Sequence, residues 1–275
     1  MRIGVVQLSV SDDPAANLPQ TIELIEAAAA DGATAIFTPE VTNLICTDRR
    51  RQAEILHPEE TDPTLAALQE VAAKNSIWLH IGSLALKGGA EGKFFNRGFV
   101  VDPSGQITAR YDKIHLFDVS ISNQEIYKES SAYHAGNAAV VADMEGLRLG
   151  MSICYDIRFP HLYRDLALAG AEILAVPGAF SITTGPAQIE TLLKARAIES
   201  GVFVVMAAQT GLHRQASGKT RETWGHSMVI SPWGKKICDL GVKRGVSCMD
   251  IDFSQVAEAR AKIPSLLYNP EYSKP

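Results

Sequence analysis

The sequence predicts an α/β protein built from two mixed sheets packed face to face and covered by helices. Three observations carry that expectation: apolar strands alternate with amphipathic helical stretches early in the chain, a hairpin signal interrupts them, and strand–helix alternation then resumes. With 275 residues, 46% of them hydrophobic, the chain can bury a large core. No linker, repeat or low-complexity segment divides it, so residues 1–275 read as one domain.

Met1 to Val10 reads as a first strand, because it has no long apolar run and passes straight into an acidic turn. Asp13 followed by Pro14 supplies an N-cap and a first helical position; Leu18, Ile22, Ile25 and Ala29 then share one face and Gly32 closes the helix. Ala33 to Phe37 is a short buried strand ending at Thr38-Pro39-Glu40. Asp62-Pro63 repeats the cap ahead of Leu65, Leu68 and Ala72, and Ile77 to Ala85 is the next strand. Phe95 to Val101 and Ile107 to Tyr111 flank Asp102-Pro-Ser-Gly105, a hairpin. The polar stretch from Asp118 to Asn137 has no period and reads as a functional loop.

Ala139 to Ala142 and Leu147 to Ile153 are strands, the second alternating through Leu147, Leu149, Met151 and Ile153 into Cys154. A helix over Leu162 to Ala169, a strand over Ala171 to Val176 and a loop over Pro177 to Gly185 follow. Pro186 to Ser200 is a helix with the stripe Ile189, Leu192, Leu193 and Ala197 and an i,i+4 pair of Glu190 with Lys194. Strands at Val202 to Ala207, Ser227 to Ile230, Lys236 to Asp239 and Val246 to Asp252 complete the pattern, with a turn at Ser231-Pro-Trp-Gly234.

Composition excludes several classes of function. Net charge is −5 with both signs interspersed, and the one basic run, Arg49-Arg50-Arg51, is followed closely by Glu54, Glu59 and Glu60 and reads as a solvated turn. Neither a nucleic acid nor an acidic membrane is expected as partner. The longest apolar stretch, Val202 to Ala208, is too short to cross a bilayer, and a cytoplasmic location is expected. Cysteines 46, 154, 238 and 248 form no disulfide framework and no zinc-ligand spacing, so neither metal nor cofactor is implied.

Cys154 stands at a strand-to-helix turn, where α/β sheets place ligands and where the next helix offers free N–H groups; read alone it is a packing residue more often than a nucleophile. Glu40 and Lys113 occupy comparable strand ends, and each alone is more often a solvated surface group. Together the three are chemically complementary. Cleaving an amide through a thiol needs a base, a cation or N–H donors for the oxyanion, and an acid for the leaving nitrogen. Partial burial would raise the Glu40 pKa toward neutrality, and the lysine would lower that of the thiol.

Phe37-Thr-Pro-Glu40, Tyr111-Asp-Lys113-Ile-His-Leu-Phe117 and Ile153-Cys154-Tyr-Asp-Ile-Arg158-Phe-Pro160 resemble, in chain order, the Glu, Lys and Cys motifs of the nitrilase (carbon–nitrogen hydrolase) superfamily. Pro177 to Gly185, Leu193-Lys-Ala-Arg196-Ala-Ile-Glu199 and Trp224-Gly-His226 through Trp233-Gly234 narrow the resemblance to the Nit-type amidases. The resemblance spans almost the whole chain. It implies an α-β-β-α four-layer sandwich and metal-free hydrolysis of a small amide through a Cys154 thioester, with Glu40 as base and Lys113 and the Tyr155 N–H on the oxyanion. It further implies a supporting role for Glu129, an acyl pocket near Arg158, Phe180 and Thr183, and a homo-oligomer. Arg158 suits a substrate carboxylate, or equally a structural pairing with Asp156 or a neighbouring acid. His115, His134 and His226 read as structural, and Trp224 and Trp233 as core and hairpin residues.

Two stretches depart from that family's pattern. Gln188-Ile189-Glu190 stands where the relatives usually have His-Trp-Glu, and Val41 to Arg51 lacks the usual aromatic and glycine content, so the acyl pocket is expected to differ. Ala207 to His213 looks more like the deaminated-glutathione branch than the ω-amidase branch. Hydrolysis of N-carbamoyl compounds or nitriles by the same triad, and a non-catalytic binding protein on the same fold, are the alternatives.

Overall fold

The computed structural model describes residues 1–121, 126–268, 270, 271 and 273. In chain order, β1 (Arg2–Gln7), α1 (Pro14–Ala30), β2 (Ala35–Phe37), α2 (Arg49–Ile55) and α3 (Pro63–Asn75) precede β3 (Trp78–Lys87), β4 (Phe94–Val101) and β5 (Ile107–Asp112). A short antiparallel pair, β6 (Asp118–Ser120) and β7 (Ile126–Lys128), separates this half from β8 (Val141–Met144), β9 (Leu147–Gly150), α4 (Pro160–Leu168), β10 (Ile173–Ala175), α5 (Glu190–Ser200) and β11 (Phe203–Met206). A hairpin of β12 (Thr210–Arg214) and β13 (Thr220–Trp224) leads to β14 (Met228–Ile230), β15 (Lys236–Asp239), β16 (Gly245–Asp250) and α6 (Ser254–Lys262).

Two six-stranded mixed sheets result, ordered β16-β1-β2-β3-β4-β5 and β15-β14-β11-β10-β9-β8. In the first, β1, β2 and β3 run parallel and the flanking strands antiparallel; β9, β10 and β11 are the parallel centre of the second. The period-two pattern sorts side chains between layers. Ile3, Val5, Ala35 and Phe37 join the core shared with the second sheet, where Leu149, Met151 and Val205 meet them. Val6, Leu8 and Ile36 point the other way, onto Leu24, Ile25 and Ala28 of α1 and Leu65 and Leu68 of α3. On the far side, Leu162 and Leu166 of α4 and Leu193 and Ala197 of α5 cover the second sheet, which completes the α-β-β-α sandwich.

Both predicted caps form. Asp13 accepts from the Ala15 and Ala16 amides at 3.0 and 3.3 Å, and Asp62 from the Leu65 amide at 2.8 Å. Other expectations need correction. Arg49-Arg50-Arg51 is solvated as expected, with Arg49 and Arg50 exposed, but is the first turn of α2, capped by Asp48. The long polar loop contains β6 and β7, while its residues 122–125 lie outside the described residues. The helix expected from Pro186 starts with a wide turn over Gly185–Ile189 and becomes α-helical only at Glu190. The β12–β13 hairpin and α6 carry too little apolar periodicity to be read from the sequence. Trp233 is half exposed and not a core residue.

Glu40, Lys113 and Cys154 each follow the carboxyl end of a strand: β2, β5 and β9. The Glu40 segment leaves β2 over Gly82, where β3 carries a register shift between Ile81 and Leu84. A Cβ at Gly82 would lie 2.2 Å from the Thr38 carbonyl oxygen and 2.5 Å from that of Pro39. Only glycine admits the chain there, since the obstructing atoms are backbone. Gly82→Ala is therefore expected to lower stability by about 1–3 kcal/mol, read as a lower urea midpoint; an unchanged midpoint would show that the segment yields freely.

Candidate active site

Cys154 sits in a conformation that side chains rarely adopt, with φ of +51°. Such strain persists only where neighbours over-determine it. Here the Cys154 N–H donates to the Pro177 carbonyl at 2.8 Å, and the wholly buried Asp156 folds back on the turn. Asp156 accepts from the Ile153 N–H at 2.8 Å, the Tyr111 hydroxyl at 2.7 Å and the His115 N–H at 3.0 Å, and lies 2.6 Å from His115 Nδ1. Tyr111 and His115 bracket Lys113, so one carboxylate ties the lysine strand end to the cysteine turn. Asp156 is thus occupied without Arg158, whose guanidinium instead lies 5.9 Å over the Tyr155 ring.

Lys113 is 1% exposed and Glu40 5%. A lone ammonium at such depth would cost several kcal/mol, so carboxylates must accompany it. Its Nζ lies 2.9 Å from Glu40 Oε1 and 2.9 and 3.1 Å from the two Glu129 oxygens. Asn96 donates to both acids, at 2.9 Å to Glu40 and 3.2 Å to Glu129. The Phe117 N–H caps Glu129 at 2.6 Å, and the Ala179 N–H caps the second Glu40 oxygen at 3.0 Å. Glu129 is therefore part of the buried cluster and not an exposed loop group.

The protonation pattern reverses the sequence-based expectation. Burial pushes the Glu40 carboxyl up, but Lys113, the Cys154 thiol and Arg221 outweigh it and hold Glu40 below its ordinary 4.5. Burial and the Glu40 charge push the Cys154 thiol above its ordinary value against the pull of Lys113 and the Ala179 amide. Lys113 is raised, because Glu129 and Glu40 outweigh the cost of its burial. At neutral pH the cluster is carboxylate, ammonium and protonated thiol. A thiolate would add a second surplus negative charge to a buried site that already has two acids for one base.

Cys154, Glu40, Lys113 and Glu129 open onto a cavity of about 250 Å³ that Tyr155, Arg158 and Phe180 also line. Thr183 is exposed and does not line it; its neighbour Thr184 does, because the Thr184 N–H bonds back to the Ser181 hydroxyl at 3.2 Å and turns the chain inward. Neither Gln188, which is exposed, nor Ile189, which is core, lines the cavity. His115, His134 and His226 also stand outside it. The Val41 to Arg51 segment does form a wall, through Leu44, Cys46 and Arg49, and Gln52 extends it.

Sequence reasoning missed Asn96, Gln52 and Arg221. Asn96 left a signal, an amide in the middle of the apolar run Phe94 to Val101, where strands rarely carry one. Arg221 left none. It reaches in from β13 and donates to the Ala179 carbonyl at 2.8 Å, holding the residue whose N–H donates to Glu40. Among the described residues, no group of three or more His, Cys, Asp or Glu side chains could hold a metal ion, and no helix is long and apolar enough to cross a membrane.

The family model described as "Carbon-nitrogen hydrolase" matches residues 2–261. Deaminated glutathione amidase of Dictyostelium discoideum is 36% identical over 272 residues, covering 96% of this chain and 91% of that protein. Omega-amidase NIT2 of Mus musculus is 34% identical over 282 residues, covering 100% and 99%. The crystal structure of the C. elegans NitFhit protein superposes with a TM-score of 0.89 at 34% identity, covering 98% of this chain and 64% of that one.

The charge pattern has a direct readout in alkylation. Inactivation by iodoacetamide, followed across pH by the mass added at Cys154, is expected to have its midpoint above the ordinary thiol value of 9.0. In Glu40→Gln, which removes a negative charge beside the sulfur, the midpoint should fall. A midpoint that stayed or rose would contradict the assigned electrostatics.

Proposed function

The chain belongs to the carbon–nitrogen hydrolase family, in its Nit branch, and is an amidase-type enzyme; we propose that it converts a primary amide of a small carboxylic acid to acid and ammonia through a thioester on Cys154. The observation that carries this reading is the placement of Glu40, which pairs with Lys113 at 2.9 Å and acts on the Cys154 thiol from the same carboxylate.

In this mechanism the sulfur attacks the amide carbon as the thiol proton passes to Glu40. The oxyanion is held by the Lys113 ammonium and the Tyr155 N–H. The carbon–nitrogen bond then breaks, Glu40 hands its proton to the nitrogen, and ammonia leaves. Water adds to the thioester with Glu40 taking its proton, the carbon–sulfur bond breaks, and the proton returns to sulfur. Glu129 fixes Lys113 and takes no proton in the cycle. Starting from a neutral thiol suits the site, since proton transfer accompanies attack and no buried thiolate precedes it.

The names of the two amidase relatives support an amide of a carboxylic acid, 2-oxo-acid-like or deaminated-glutathione-like, over an N-carbamoyl compound or a nitrile. An assembled charge cluster opening onto a cavity argues against a binding protein without activity. For self-association, we take the exposed side chains of Ile198, Trp233, Ile263, Leu267 and Tyr268 as the face of a homo-oligomer. Light scattering should then give at least twice 29.7 kDa; a monomer at micromolar concentration would remove that face from consideration.

Cys154→Ala should abolish turnover, and intact mass after brief exposure to substrate should show an acyl group on the wild-type protein only. Because the Glu40 carboxyl is depressed, its base form persists as pH falls to its ordinary 4.5. The acid limb of kcat/KM is therefore expected below pH 4.5, together with loss of the stability that the Glu40–Lys113 pair supplies above it. An acid limb near pH 6 or 7 would point to a different base.

A further inference from the structure

Val41, next in the chain to Glu40, has φ of +47°. A β-branched side chain almost never takes that left-handed conformation, because its branch crowds the backbone, so the turn stays bent only while neighbours hold it. Two wholly buried side chains do so, one at each end of the residue. Ser83 accepts the Val41 N–H on its hydroxyl at 2.8 Å. Gln209 donates its side-chain amide to the Glu40 carbonyl at 3.1 Å and to the Val41 carbonyl at 3.4 Å. Ser83 belongs to β3 of the first sheet, whereas Gln209 follows β11 of the second, so the turn that carries Glu40 is pinned between the two sheets.

Both residues are themselves fixed. Ser83 lies in the register shift of β3; its N–H donates to the Pro39 carbonyl at 3.2 Å and its carbonyl accepts the Thr42 N–H at 2.8 Å, so three of its polar groups meet the Glu40 turn. The Gln209 Oε1 accepts the Val10 N–H at 3.4 Å, which turns the opposite, donating end of the amide toward Glu40. The Gln209 backbone N–H donates to the Gly178 carbonyl at 2.8 Å, and the next residue, Ala179, caps the second Glu40 oxygen at 3.0 Å. Gln209 thus holds the Glu40 main chain directly and its carboxylate through Gly178-Ala179. Neither Gln209 nor Ser83 lines the cavity. Whatever they contribute to the reaction passes through Glu40.

We propose that Gln209 and Ser83 are positioning residues that clamp the strained turn after Glu40, and that this clamp aims the Glu40 carboxylate at the Cys154 thiol. The proposal rests on the amidase reading above for the role of Glu40 and adds to it two residues that never touch substrate. Without the clamp Val41 relaxes to a negative φ, which rotates the chain on either side of it. A carboxylate that must meet sulfur, nitrogen and water in turn then loses its single fixed position, which is the condition for its proton transfers.

Gln209→Met keeps the length of the side chain and removes its donor. With glutaramate as the amide, kcat should fall roughly 10- to 100-fold, as for a reacting group displaced by about 1 Å, while KM changes little because the cavity lining is intact. The acid limb of kcat/KM should move up, since the pairing with Lys113 that holds the Glu40 carboxyl down is loosened; a loss of folded enzyme alone would leave that limb in place. Val41→Gly removes the strain that the clamp opposes, so adding it to Gln209→Met should restore part of kcat; no recovery would overturn the proposal. Ser83→Ala frees the same turn at its N–H end and supplies the comparison if methionine unfolds the chain. Unchanged kcat and acid limb in either variant would also overturn it. Alkylation of Cys154 by iodoacetamide separates this inference from the amidase reading: with Glu40 displaced, its charge holds the thiol up less, and the pH midpoint should fall in Gln209→Met. If wild type hydrolyses no primary amide but the midpoint falls, the hydrolytic reading fails and the clamp stands; if wild type turns over glutaramate and Gln209→Met changes neither kcat nor midpoint, the clamp fails and the amidase reading stands.

Discussion

The buried Lys113 ammonium is the constraint around which the molecule is arranged. A single cation at that depth demands carboxylates, and the two that answer come from different places: Glu40 from the end of β2 and Glu129 from the end of β7. Removing one partner from a buried pair typically costs about 3–5 kcal/mol, because a charge is left uncompensated. The cluster thus fixes the relative positions of three strand ends as firmly as the apolar layers fix the sheets. Burial, and after it the Glu40 charge, keep the neighbouring thiol protonated against the pull of Lys113. Structure and reactivity therefore rest on the same charges.

The cysteine turn is held by different means. Its left-handed backbone would relax without the Pro177 carbonyl and the Asp156 carboxylate, which between them satisfy the two successive amides, of Ile153 and Cys154, that lead into the bend. Asp156 also receives the Tyr111 hydroxyl and the His115 amide, so the turn and the lysine strand end move together or not at all. Preorganisation of this kind matters because catalytic electrostatics depend on groups already in place when charge develops.

What was legible in the sequence follows the same division. Strand periodicity gave the order and most of the elements of both sheets, and the Asp-Pro dipeptides gave two helix starts, because these are local signals. Glu40, Lys113 and Cys154 could be named because each terminates a strand whose pattern is visible. Their protonation states could not, since the Glu40 pKa depends on Lys113, 73 positions away in the chain, and on Cys154 and Arg221, further away still. The intuition that burial raises a carboxyl is right for its largest single effect, but Lys113, Cys154 and Arg221, all absent from any local window, together outweigh it. Thr183 was misplaced by one residue for a similar reason: the inward turn is decided by the Ser181 hydroxyl, not by composition.

The walls of the cavity were the least legible part, and their architecture explains why. Catalytic groups hang from the two sheets, whereas the lining comes largely from α2, the β6–β7 pair, the Gly178–Phe180 loop and the β12–β13 hairpin. These elements are short, polar and weakly periodic, so nothing in their sequence declares which side chains turn inward. They are held by contacts between one another, as where Gln52 of α2 bonds the Tyr133 hydroxyl at 2.8 Å and Arg49 the Ser131 carbonyl at 2.9 Å. Such an arrangement lets the lining change without disturbing the charge cluster beneath it. Gln188 and Ile189, conspicuous in the sequence, fall on the helix layer and outside the lining, while the inconspicuous Arg221 stands in it. Substrate preference in this chain is therefore to be sought on the hairpin and α2, and the chemistry on the strand ends.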